Sequence, residues 1–471
     1  MSTATIAGRQ RSAGALVIAG CAAASALGVL LVYSPLALVA VGVLLFGVVI
    51  LPFFPRVGFY LAYPIFFFLP LERLRITDLP VLSSPLNFLV ITSAVVGIAH
   101  WSLRPRPLPA SRLYVPVLLA ALVLIVNIGL RNAAVGAVRL SSLLLGMWPF
   151  ALAILLVQTP RQAGRILRVS LGCVAAFAAI WIPLLLLVGR QTEGDAARAL
   201  SRRVSIELAG GSLSLNYLLV LAFATAVPVF LAVAWYRDNP RRLRMLSGTA
   251  GVFVLIALIT SGYAAAPLGA VVGAALVPLI AVLGDHRERT PSAVLRVAAV
   301  WLVVALLVIG FFLVTSQGRL LVARVLNPED DFSGAFRLYA AHQGVLAFLA
   351  NPLIGWGPFN EPTYRAGYLL GGHTTYVKAA YEFGLLFLIP FLWLLVEMVR
   401  LPLGLVRRAR RSLDRAVVAG FTGSLAVVLV LGLVTEVFDG VIPLSLVWLF
   451  LGLATVWRGW LERDPNAVLV E

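Results

Sequence analysis

Apolar runs of roughly 20 residues follow one another along this chain, separated by short stretches that carry most of its charge. A helix rises about 1.5 Å per residue, so each run is long enough to cross the ~30 Å hydrocarbon core of a bilayer. The pattern predicts fourteen apolar segments, near 14–32, 35–52, 57–70, 84–101, 113–130, 133–157, 166–188, 213–235, 246–262, 264–283, 296–315, 374–397, 416–434 and 441–457. The third is short enough to be re-entrant. The expected fold is all-α: a polytopic integral membrane protein with about 12–14 transmembrane helices, forming one transmembrane domain over 1–471. Two polar intervals are longer than the rest, 189–212 and 316–373. In the second, 333–350 reads as a helix, with Phe336, Tyr339, Leu346 and Ala350 forming a stripe at helical spacing. Pro352 ends it, and "NPLIGWGPFN" has the glycine and proline density of a tight loop.

Composition sharpens the class. Of 471 residues, 61% are hydrophobic and 12% charged, against about 25% charged in soluble domains. The net charge of +17 has to be read by location, because basic loops beside membrane helices set orientation. With the N-terminus in the cytoplasm and the segments alternating, 24 of the 37 basic residues fall on the inner side and 11 on the outer; Arg139 and Lys378 lie inside helices. This split predicts that both termini and the 400–415 loop are cytoplasmic and that 189–212 and 316–373 are external, with 316–373 a large loop inserted between membrane helices. It argues against a nucleic-acid partner. The two cysteines, Cys21 and Cys173, sit in apolar runs, without the spacing of a disulfide framework or a zinc site. "IAGC", ending at Cys21 behind Arg9 and Arg11, has the form of a lipoprotein processing box; the plainer reading is an uncleaved first helix.

The outer arginines run against the topology rule and so call for a reason. Arg190, Arg198, Arg202, Arg203, Arg319, Arg324, Arg337 and Arg365 together suit a phosphate anion, since guanidinium binds phosphate in bidentate fashion. Singly, each also fits a solvated loop charge or a lipid-headgroup contact. Arg139, in "AVRLSSLLLGMWPF", is an ionisable residue within an apolar segment, functional by default unless it snorkels to the nearby interface.

The stretch 371–384, "GGHTTYVKAAYEFG", holds one of four histidines and the chain's lysine at the start of an apolar run. His373 and Tyr376 are three residues apart and share a helix face. Lys378 lies roughly 140° round from His373 and Glu382 roughly 180°, at about 100° per residue. Lys378 and Glu382, four apart, fit an intrahelical ion pair, although a lysine at this depth also suits phosphate. His373 has no such partner in sequence. A neutral imidazole there is placed to take a proton from a sugar hydroxyl, or else to cap the helix.

From Ser333 to Gly384 the order of features resembles the O-antigen ligase and polymerase superfamily of membrane glycosyltransferases. The residues that carry the resemblance are "SGAFRLYAAHQGVLAFLANPLIGWGPFN", an arginine-led helix and a Pro/Gly turn, followed by "HTTYVKAAYEFGLL", a histidine heading a membrane helix and then Glu-x-Gly. Asn216, in "GGSLSLNYLLVLAF", is similar to the family's asparagine before an apolar helix. Two positions depart: Thr374 stands where the family has asparagine after the histidine, and Thr260-Ser261-Gly262-Tyr263 lacks the arginine of a Ser-Arg-Gly. The resemblance implies a metal-independent, inverting transferase without cofactor. It would take glycan from an undecaprenyl-type lipid pyrophosphate and deliver it to a sugar hydroxyl at the outer face of the cytoplasmic membrane. It puts His373 and Arg337 in the catalytic role. Arg139, Arg202, Arg203, Arg319, Arg324, Tyr376, Lys378 and Asn216 become the expected substrate contacts. A lipid-linked oligosaccharide flippase is the principal alternative and also needs cations for pyrophosphate, but in a central cavity rather than in asymmetric outer loops. A classical lipid-donor glycosyltransferase with an acidic first outer loop fits poorly, because that loop is little more than Tyr33-Ser34-Pro35. A membrane scaffold without chemistry is the remaining reading.

Overall fold

The computed structural model describes Pro55, Arg56, Tyr60, 85–103, 105, 107–131, 146–189, 205–208, 211–214, 217–260, 265–284, scattered positions from 295 to 313, 332–357, 374–435, 437 and 441–470. The chain divides into two compact units, Met1–His100 and Trp101–Glu471. The described part of the first is chiefly α1 (Pro85–Leu103), which runs on into the second. The second holds α2 (Tyr114–Arg131), α3 (Trp148–Leu156), α4 (Pro160–Gly189), strands β1 (Ser205–Leu208) and β2 (Gly211–Ser214), α5 (Tyr217–Trp235), α6 (Arg241–Thr260), α7 (Ala265–Gly284), α8 (Phe332–Ala350), α9 (Thr375–Arg408), α10 (Ser412–Val434) and α11 (Val441–Arg463).

This is a polytopic helical membrane protein. Among the described residues six helices are long and apolar enough to cross a membrane, within α4, α6, α7, α9, α10 and α11, and shorter apolar helices lie within α1, α2 and α5. Large side chains such as Leu118 (68% exposed) and Ile389 stand on open faces, as expected of helices whose outer surface is covered by lipid rather than water. The expectation of helices alone needs one amendment. β1 and β2 pair antiparallel in a short hairpin, Ser205 opposite Ser214 and Leu208 opposite Gly211. Residues 213–214, read from hydropathy as the start of a helix, therefore belong to a strand, and α5 begins at Tyr217.

α5 and α10 form the centre of the second unit, each packing on several neighbours, with α7 against both. Lipid tails are as apolar as leucine, so close van der Waals approach must do the work, and small residues permit it. A Cβ on Gly273 of α7 would sit 2.5 Å from the Gly423 carbonyl of α10, and one on Gly420 would sit 2.5 Å from the Val229 Cα of α5. Ser424 closes the crossing, its one hydroxyl proton shared between the carbonyls of Thr225 on α5 and Gly420 on its own helix. α3 rests on α11, where Phe150 meets Trp448 edge-on at 5.7 Å.

The helix expected at 333–350 is present as α8, but its buried face is a different one. Ala340 (1% exposed), Gly344 and Ala347 are buried, whereas Tyr339 (52%), Leu346 and Leu349 (64%) face outward. The cause is distance. A Cβ at Gly344 would lie 2.6 Å from Val377 and 3.0 Å from the Tyr381 ring on α9, so the packed face has to be made of small residues.

Candidate functional site: a loop clamped into a broken helix

α9 is 34 residues long, but it is not continuous: Gly384 has φ 66° and ψ −171°. In an unbroken helix the Leu385 and Leu386 amides would donate to the Tyr381 and Glu382 carbonyls, four residues back. Here the loop after α8 takes all four groups. Trp356 N–H donates to Tyr381 O (2.9 Å) and Gly357 N–H to Glu382 O (2.8 Å), while the Leu385 and Leu386 amides donate to Pro352 O (2.8 Å) and Leu353 O (3.2 Å). Away from water an unpaired backbone group costs several kcal/mol, so a membrane helix can break only where something re-satisfies it. The segment 352–357 does so.

The sequence of that loop is what the geometry requires. Gly355 and Gly357 have φ of 72° and 82°, and a Cβ on Gly355 would lie 2.5 Å from the Glu382 carbonyl group. Asn351 stitches the turn, with its Nδ2 donating to Gly355 O (2.7 Å) and its own carbonyl accepting from Gly355 N–H (3.1 Å). Trp356 Nε1 donates to Ala347 O at the end of α8 (2.8 Å). From α2, the buried Asn127 donates to Ile354 O at 2.6 Å. Sequence reasoning missed Asn127, although an amide inside an apolar run is a signal of its own. It also missed the meaning of Gly384 beside Glu382. The Pro/Gly turn and the Glu-x-Gly are two halves of one backbone clamp.

The head of α9 is equally constrained. Thr374 is the N-cap, with extended backbone and a side chain that accepts from Val377 N–H. Asparagine at this position would do the same. Thr375 donates to Thr435 O (2.8 Å) and accepts from Val437 N–H (2.9 Å). The Tyr376 hydroxyl donates to Leu429 O (2.9 Å), and its ring lies against Phe391. Together these tie the head of α9 to α10 and to the segment that follows it.

Of the residues singled out in the sequence, Tyr376 and Lys378 lie on the first turns of α9. Lys378 is half-buried, and Glu382, one turn on, is 1% exposed. Arg337 lies on α8, two turns before Gly344. α8 and the start of α9 advance together: Gly344 meets Val377 and Tyr381, and Pro352 and Leu353 meet Leu385 and Leu386. The stretch of α8 that carries Arg337 is thus on the side of the α9 head. His373, Arg139, Arg202, Arg203, Arg319, Arg324 and Asn216 lie outside the described residues. Among the described residues no group of three His, Cys, Asp or Glu side chains is arranged to hold a metal ion. No family model and no curated protein matches the chain.

Proposed function

We propose that this protein is a membrane glycosyltransferase of the O-antigen ligase or polymerase type. On this reading it moves glycan from a lipid-pyrophosphate donor of undecaprenyl type to a sugar hydroxyl at the external face of the cytoplasmic membrane. The observation that carries the reading is the clamp. The two short motifs behind the resemblance, "NPLIGWG" and "EFG", serve one purpose, and Arg337 and Thr374 belong to the two helices that the clamp holds in register. A fixed register between the helix that carries Arg337 and the helix that follows His373 in sequence is what pyrophosphate transfer needs. Cationic groups have to be pre-positioned where charge develops on the leaving group, and a base has to reach the acceptor hydroxyl. In this scheme Arg337 stabilises the pyrophosphate and His373 orients or deprotonates the acceptor. Arg139, Arg202, Arg203, Arg319, Arg324, Asn216, Tyr376 and Lys378 line the path of the donor.

Transfer from a defined lipid-linked oligosaccharide in reconstituted liposomes tests this directly. His373→Ala and Arg337→Ala should each lose at least about a hundredfold in rate, the low end for removal of a general acid–base group. The histidine variant should still bind lipid pyrophosphate; the arginine variant should bind it more weakly. Full transfer by well-folded His373→Ala would remove the histidine from the mechanism; a well-folded wild type that transfers nothing would favour the flippase.

A further inference from the structure

At the other end of α9 the fold gathers cationic side chains. Arg407 and Arg408 end the helix, and Arg410 and Arg415 follow on the turn into α10 and its first coil. With Leu461 of α11 and Pro465 beyond it, these four arginines line a cavity of about 780 Å³, within the usual size range of small-molecule sites. The charge asymmetry predicts this side to be cytoplasmic. Orientation calls for basic residues in the loop, but it does not call for them to converge on one concavity.

The surroundings hold the charges there. Arg415 is fixed by bonds from its Nε to Ala409 O (2.9 Å) and from Nη2 to Arg410 O (3.1 Å). Arg410 reaches across to Asn466, so the segment after α11 forms one wall. The neighbouring acids are engaged with other groups. Asp414 Oδ1 accepts from the Leu469 and Val470 amides, Glu462 pairs with Arg458 at 3.0 Å, and Asp464 accepts from the Asn466 amide at 2.9 Å. Among the described residues the Arg407 and Arg408 side chains are exposed and make no hydrogen bond or ion pair.

We propose that this cavity binds a phosphate-bearing anion, supplied either by the headgroup of an anionic phospholipid or by a free phosphate-class ligand. Guanidinium groups match phosphate oxygens in bidentate geometry, and arginine clusters beside a membrane helix attract anionic headgroups. Leu461 and Pro465 offer an apolar wall to whatever carries the phosphate.

The test uses the full chain in nanodiscs. One arm measures retention of cardiolipin against phosphatidylcholine by native mass spectrometry. The other measures the thermal shift produced by inorganic pyrophosphate in discs of phosphatidylcholine alone. The variant is Arg407→Gln with Arg408→Gln. The control is Arg241→Gln with Arg242→Gln, which removes the same charge from exposed positions at the start of α6. The wild type and the control should retain cardiolipin, with an affinity loss of at least about tenfold in the 407/408 variant; this assigns the headgroup. A pyrophosphate shift lost only in the 407/408 variant assigns a free anion. Equal loss in both double variants overturns the proposal. So does a wild type that neither retains cardiolipin nor responds to pyrophosphate, a result that does not depend on either variant folding.

Discussion

Gly384→Ala is the sharpest perturbation of the clamp. At φ 66° and ψ −171° the backbone lies in a region open essentially to glycine alone, where another residue costs of order 1–3 kcal/mol. The new Cβ would also fall 2.4 Å from Leu353 O and 2.5 Å from Leu353 C. Both atoms are backbone, so no side chain can swing aside. The loop must retreat, and with it go the bonds from the Leu385 and Leu386 amides to Pro352 and Leu353, each worth about 0.5–1.5 kcal/mol. The sum is about 2–6 kcal/mol. α9 can recover part of this by closing its own bonds across the break, leaving the loop without partners. Two measurements follow the outcome: the thermal midpoint in detergent, and hydrogen exchange at the Trp356 and Gly357 amides. The midpoint should fall by several degrees, and both amides should lose protection. Gly404→Ala is the internal control. It lies on the same helix with nothing within 4 Å of the new Cβ, and an interior helical Gly→Ala change is worth up to about 1 kcal/mol of added stability. A Gly384→Ala protein with unchanged midpoint and fully protected Trp356 and Gly357 amides would refute the clamp.

Three further outcomes are expected. Thr374→Asn should melt with the wild type, whereas Thr374→Val should lose about 1 kcal/mol, the usual worth of an N-cap, as read from paired melting curves. Asp414→Ala removes the acceptor of the Leu469 and Val470 amides and should cost about 1–3 kcal/mol; limited proteolysis should then cut after α11 sooner than in the wild type, and an unchanged cleavage pattern would show that this contact does not hold the segment. In a background lacking Cys21 and Cys173, single cysteines at Ser205 and Gly334 should react with an impermeant maleimide in intact cells and one at Ser412 should not; the reverse pattern would invert the orientation.

Hydropathy alone determined the class of this protein and much of its architecture. Runs such as 113–130, 264–283 and 416–434 reappear as α2, α7 and α10 with ends shifted by a few residues, because crossing the hydrocarbon core takes a run of about 20 apolar residues that hydropathy can see. The helix at 333–350 was also legible, as were the loop after Pro352 and the lysine–glutamate stretch in the first turns of α9. Tertiary structure decided which face of α8 is buried. Periodicity weighs apolar mass and so picks Tyr339 and Leu346, whereas contact at Gly344 rewards the absence of mass. Tertiary structure also decided that a glycine within an apolar run is a helix break and that a loop some thirty residues upstream repairs it. Backbone hydrogen bonds have no sequence code of their own. Nothing in "EFG" says that Tyr381 and Glu382 offer their carbonyls to Trp356 and Gly357, or that Asn127 on α2 holds Ile354 between them. Those pairings exist only because a buried polar group must find a partner wherever the packed helices bring one within reach.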